Sequence, residues 1–250
     1  FNLFRPVRTL LVAALVAFPF ASALAEDART LVLQENADYY GFDYETVRDV
    51  TLDECKTFCL KATGCKAFTH SAASKACYLK SDYGAVKRAE GAVTGRVDIE
   101  AGPSAKLDKP QPASFLSASL ASEAARYRSG LIADAEEETQ GVNALAEEAS
   151  SSLTSGDARS AMNGYASAAG LSPDEARLWA GLARAILAIK ADGSEQYELP
   201  EKASSAAQNA YLASRTTASR AEALEVLAQA LERREPFRPA LEAYKASLAF

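Results

Sequence analysis

Apolar and polar positions follow two different rhythms along this chain. Up to about residue 100 the runs are short. Lys66-Ala67-Phe68-Thr69-His70 and Ala76-Cys77-Tyr78-Leu79-Lys80 read as strands joined by a turn over 72–75, and Gly91 to Ile99 reads as a closing strand. Ahead of them, Thr51-Leu52-Asp53-Glu54 is a capping box, in which the Thr hydroxyl accepts from the Glu amide and the Glu carboxylate reaches back. A helix therefore starts there and runs to about Ala62, with Gly64 ending it. The pattern predicts one helix on a small antiparallel sheet.

Beyond residue 113 the period is helical, and alanine, the residue of best helix propensity, is abundant. Helices are expected over Phe115 to Tyr127 and Leu131 to Ala149, with Gly130 as a break and Gly141 as a second breaker inside the latter. Two helical pairs follow, Asp157 to Ala169 with Pro173 to Ile189, and Glu201 to Arg215 with Ser219 to Glu232. Phe237 to Phe250 begins another unit. Between the helices of the first pair, Gly170 reads as a C-cap, Ser172 as an N-cap, Pro173 as the first helical residue and Glu175 as the third. Tyr165, Tyr211 and Tyr244 occupy similar places in helices rich in small residues, and the last two are close to one 34-residue tetratricopeptide period apart. The longer first interval is assigned to an insertion around Ala191 to Leu199. Residues 101–113, with Gly102, Pro103, Pro110 and Pro112, read as the linker between the two parts.

The first 25 residues belong to neither rhythm. Arg5 and Arg8 precede an apolar run from Thr9 to Ser22 with no polar face, and Ala23-Leu24-Ala25 then meets Glu26. That is the three-part form of a secretory signal peptide, with cleavage expected between Ala25 and Glu26. Export to a bacterial periplasm or beyond is the expected localisation. Cleavage removes two arginines and no acid, taking the net charge from −6 to −8. An acidic chain does not favour nucleic acid or anionic lipid, which bind through Lys and Arg. No other apolar run reaches the roughly 18 residues of a membrane span. The chain opens on Phe1 and ends within a helical pattern whose Leu241, Tyr244 and Leu248 face would lack a partner helix, so a longer natural protein is expected.

All four cysteines, Cys55, Cys59, Cys65 and Cys77, fall in one stretch of an exported chain, which argues for two disulfides. A Cys55–Cys59 bridge would tie one helical turn to itself. Pairing Cys59 with Cys65 instead closes the helix exit, and pairing Cys55 with Cys77 staples the helix to the second strand; these two are expected. The spacings suit zinc poorly, since structural zinc sites favour C-x2-C knuckles. Bonded sulfurs are not thiolates, so a cysteine nucleophile paired with His70 is not expected, and His70 reads as a half-exposed strand residue. With one histidine, and no phosphate loop, dinucleotide fingerprint or metal-ligand set, the chain is read as no enzyme, without cofactor or metal.

Asp53-Glu54-Cys55, Cys59, Cys65-Lys66-Ala67-Phe68-Thr69 and Cys77-Tyr78-Leu79-Lys80 together resemble a PAN/apple domain over roughly Leu33 to Asp98. The resemblance implies protein or carbohydrate binding and no catalytic residues. It also implies frayed ends, because the third bridge that joins the termini in some members has no cysteines here. The aromatic run Tyr39, Tyr40, Phe42 and Tyr44 is open to two readings, a ligand-contact patch or a minor core across the sheet, and packing is the simpler.

The expected fold class is thus α+β. The chain divides into a signal peptide (1–25), a disulfide-stapled PAN/apple domain (26–100), a linker (101–113) and an all-α, tetratricopeptide-like region (114–250). Leader, a single module with the Asp53-Glu54-Cys55, Phe68-Thr69 and Cys77-Tyr78-Leu79-Lys80-Ser81-Asp82 signature, and alanine-rich helices together resemble the N-terminal part of bacterial alpha-2-macroglobulin-like protease traps. That resemblance implies a non-catalytic front end of an inhibitor whose contact with proteases would come through downstream domains. A free-standing adhesion or scaffold protein that binds protein or carbohydrate is the alternative.

Overall fold

The computed structural model describes residues 29–98, 106–135, 138–234 and 237–250. The signal peptide, its Ala25–Glu26 junction and the first part of the linker lie outside the described residues. Two strands precede the elements read from the sequence: β1 (Thr30–Tyr39) and β2 (Asp43–Arg48). Then come α1 (Leu52–Lys61), β3 (Ala67–Ser71), β4 (Ala76–Lys80) and β5 (Val86–Asp98). All pairings are antiparallel, in the order β1-β5-β3-β4-β2. Thr51 caps α1 with the reciprocal Glu54 bonds of a capping box, and Ala62 is its C-cap.

The order places β1 and β2 at opposite edges, four strand steps apart, which is roughly 19 Å in a flat sheet. An extended chain from Tyr39 to Asp43 reaches at most about 14 Å. The sheet therefore coils until its edges approach at this end. Lys80, buried on β4 beside the β2 edge, sits where they meet. Its Nζ lies 2.5 Å from Asp43 Oδ1 on β2 and 3.8 Å from Asp38 Oδ1 on β1, and it donates to Gly41 O between them.

The ends of the domain do not fray. β1 and β5 pair along nearly their whole length, from Thr30↔Asp98 to Tyr39↔Val86, with a bulge between Glu35 and Ala37. Backbone hydrogen bonds thus do the work of a terminal bridge. Arg29 adds a second anchor, donating to the carbonyls of Leu60, Ala62 and Cys65 at the carboxyl end of α1. Cys55 is bonded to Cys77 and Cys59 to Cys65, all four fully buried around Phe68 and Leu79.

The second part is all helical: α2 (Ala118–Asp134), α3 (Val142–Ser155), α4 (Ala158–Leu171), α5 (Ala176–Ala188), α6 (Glu195–Ala213), α7 (Thr217–Arg233) and α8 (Phe237–Ser247). From α3 to α8 each helix packs on the next, and α5 also packs on α7. α2 departs from a plain stack, because it packs on both α4 and α6. Asn209 of α6 donates to Ala124 O at 2.9 Å, and Arg234 pairs with Glu123 at 2.8 Å.

Several expected boundaries move, each for a tertiary reason. Gly130 does not break α2, since packing carries the roughly 1 kcal/mol that a helical glycine costs. Gly170 is no C-cap. It lies inside α4, where a Cβ would overlap the Leu131 carbonyl of α2. Ser172 ends α4 and does not start α5, whose N-cap is Glu175, because Pro173 O and the Asp174 carboxylate are drawn to Arg128 of α2 and Arg96 of β5. Most of the stretch 191–199 is helical: α6 begins at Glu195, ahead of the expected Glu201, and runs through Pro200. The later part of the linker lies along the helices, with Leu107 N donating to Arg215 O and Arg220 to Asp108 O.

The two bridges close loops of unequal length, 22 and 6 residues apart in sequence. Loop-closure entropy then makes Cys77→Ala the costlier change, at about 3 kcal/mol against about 2 kcal/mol for Cys65→Ala. Urea unfolding of the two variants under non-reducing conditions should show that order; equal or inverted costs would contradict it.

Candidate functional site

The aromatic run from Tyr39 to Tyr44 does not act as one cluster. Tyr39 is buried, its ring 5.1 Å from that of Tyr83. Tyr40 points outward, 70% exposed, with Lys87 Nζ 4.9 Å above its ring. Tyr44 is also exposed, on edge strand β2, and Phe42 is half-buried. The turn that presents them is strained and held. Gly41 and Phe42 both have positive φ, +88° and +60°, the latter unusual for a bulky residue. Ser81 N and Lys80 Nζ fix the carbonyls of Phe42 and Gly41.

Beside Tyr40, the β1 bulge and the start of β5 frame an open depression of about 490 Å³. Gln34, Asn36, Lys87, Arg88 and Glu90 line it. Asn36 has a φ of +53°, and its Oδ1 accepts from Gly91 N, so the floor of the depression is fixed by backbone. Amides, a carboxylate and two cations can hydrogen-bond a polar ligand, and Lys87 links this lining to the exposed ring of Tyr40. Among the described residues no group of three or more His, Cys, Asp or Glu could hold a metal ion.

His70 is buried and not half-exposed, because β3 has neighbours on both sides. Its Nε2 lies 2.9 Å from Val50 O, as a donor in that tautomer. The disulfide sulfurs are enclosed and present no reactive surface.

What sequence reasoning missed is the junction between the sheet and the helices. Asp82, just past β4, acts as the N-cap of α3 from 61 residues away. Its Oδ1 accepts from Asn143 N at 3.0 Å and Asn143 Nδ2 at 3.1 Å, and its Oδ2 from Ala144 N at 3.0 Å. Tyr83 O accepts from Val142 N at 2.8 Å. The local N-cap, Gly141, has no side chain to do this, and a Cβ there would overlap the Asp82 carboxylate.

Next to this cap lies a buried ionic network. Tyr83, 1% exposed, donates to Glu175 Oε1 at 2.7 Å, and Arg177 donates to Glu175 Oε2 at 2.9 Å. Arg96 of β5, 2% exposed, donates to Asp174 Oδ2 at 2.9 Å. Its Nε and Nη1 find no hydrogen-bond partner among the described residues, so Asp174, Glu175 and Asp98 hold it largely by charge.

The titrations follow from that packing. Burial pushes the Tyr83 and Tyr39 hydroxyls above their usual range, with Glu175 adding to both. Burial would also raise the Asp174 carboxyl, but the charge and hydrogen bond of Arg96 outweigh it and the net direction is down. A depressed carboxyl stabilises the fold above its unfolded value, about 4, and that contribution is lost as pH falls through the folded value. A raised phenol stabilises below its unfolded value, about 10, and is lost as pH rises beyond it. Stability measured by urea unfolding should thus be flat between about pH 5 and pH 9 and fall on both sides. Tyr83→Phe should lower the plateau and flatten the alkaline fall; an unchanged alkaline fall would contradict the assignment.

Residues 31–99 match the family model of the PAN domain. No curated protein matches the chain, and the match gives the macroglobulin resemblance no support, since it covers the sheet module alone. Among the described residues no helix is long and apolar enough to cross a membrane. Residues 31–99 are therefore a PAN domain, a type of module that binds proteins or carbohydrates, followed by a helical region docked against it through Asp82, Tyr83 and Arg96.

Proposed function

We propose that the chain is an exported, non-catalytic binding protein whose PAN domain takes a carbohydrate in the depression beside Tyr40. The observation that carries this is the pairing of a polar, hydrogen-bonding floor with an exposed aromatic ring on a rigid turn. A protein interface of ordinary size buries about 800 Å² per partner around a desolvated apolar core, and this lining is mainly polar, with Ala37 and Val86 its apolar residues. A sugar ring offers what the depression accepts: hydroxyls for Gln34, Asn36 and Glu90, and a C–H face for Tyr40. The helical region would act as the platform that holds the domain, a scaffold role that needs no chemistry of its own. A place at the front of a macroglobulin-type inhibitor rests on the sequence resemblance, and no observation of the structure adds to it.

The test is titration of the mature chain against a glycan array, followed by calorimetry on the best ligand. Tyr40→Ala should fold normally, since the ring is exposed, and should bind about tenfold more weakly, or about 1.4 kcal/mol. The bound glycan should be recovered intact. Absence of any glycan ligand, or equal binding by the variant, would remove the reading.

A further inference from the structure

A second cleft gathers cations from three separate segments. Its volume is about 450 Å³. Lys109 and Pro110 of the linker, Arg128 of α2, Asp174 before α5 and Arg215 after α6 all line it. We propose that this cleft binds a sulfate or phosphate group, either free or as an ester on a larger ligand.

The chain as a whole is acidic, at −6, so three cations in one cleft are a local arrangement and not a consequence of composition. Lys109 and Arg215 are exposed at its mouth. Arg128 is fixed deeper, donating to Pro173 O with its guanidinium 6.0 Å from the centre of the Trp179 ring. The one acid, Asp174, is already engaged by Arg96 and stays ionised in that pair, which leaves the balance of the cleft positive.

The carboxyl end of α6 also opens here, and bare carbonyls would repel an anion. They are occupied. Tyr211 O accepts from Ser214 N and Oγ, Ser214 O from Arg220, and Arg215 O from Leu107 N. The same Leu107 bond, with the Lys106↔Thr216 bridge, anchors the linker wall that carries Lys109. A tetrahedral oxyanion presents several acceptor oxygens to two guanidinium forks and an ammonium, the geometry in which charge-assisted bonds are strongest. Binding would also relieve the mutual repulsion of the three cations.

The experiment titrates the mature chain with sodium sulfate, sodium phosphate and methyl sulfate in a zwitterionic buffer, with sodium chloride at matched ionic strength as the baseline. Sulfate or phosphate should bind by calorimetry and raise Tm beyond chloride. Methyl sulfate binding alongside them assigns an ester as an acceptable source, and its failure restricts the site to the free ion. The double variant K109Q/R215Q removes two exposed side chains, so it should fold, with a Tm in chloride close to that of the wild type. Its sulfate affinity should fall about tenfold or more, the loss expected from removing charge-assisted bonds. No effect of sulfate or phosphate beyond chloride, or equal binding by the double variant, overturns the proposal.

Discussion

One carboxylate joins the two parts on which the architecture depends. Asp82 follows strand β4 of the PAN sheet and, with both carboxylate oxygens, caps the start of helix α3. A helix begins with unpaired N–H groups that need acceptors. Here the acceptor belongs to another part of the chain, so α3 is fully capped only when the sheet is in place. The nearby Arg96, Glu175 and Tyr83 contacts are buried as well, and parting the two halves would expose Tyr39 and Tyr83 while leaving those charges unpaired. A buried ion pair adds little net stability compared with apolar packing, but breaking one is costly. The junction therefore acts as a specificity device: it admits one docking geometry and resists partial separation.

That constraint sets what the surface can do. With Tyr39 committed inward and Lys80 holding both edges of the coiled sheet, the strained Gly41–Phe42 turn keeps Tyr40 exposed. Pre-organisation of this kind lowers the ordering cost of binding. The cationic cleft lies across the same junction, since Asp174 lines it and also takes the Arg96 hydrogen bond. Both proposed ligand sites thus rest on residues that the junction positions.

How much of this the residues disclose in advance depends on the range of the interactions. The α1 capping box is local, and its four residues announce it. β3 and β4 are short apolar-rich runs bounded by turn residues and are legible for the same reason. β1 and β2 are edge strands with polar faces, so no apolar alternation marks them. Gly141 and Gly170 read as helix punctuation, because a glycine has one local meaning. Their actual roles, room for the Asp82 carboxylate and for the Leu131 carbonyl, exist only once distant segments meet. The aromatic run was legible as significant, but its division into a buried Tyr39 and an exposed Tyr40 depends on Tyr83, more than 40 residues on.

The central claim is that sheet and helices form one cooperative unit through Asp82. Trp179, the single tryptophan, lies in α5 and reports the helical region by fluorescence, while hydrogen exchange of the β3 and β5 amides reports the sheet. In urea the two probes should give coincident transitions for the wild type, as a two-state unit requires. Asp82→Ala should shift both to lower urea, by about 1–3 kcal/mol for an uncapped helix and unpaired buried donors. Separate transitions in the wild type, or a variant that lowers only one of them, would contradict the account.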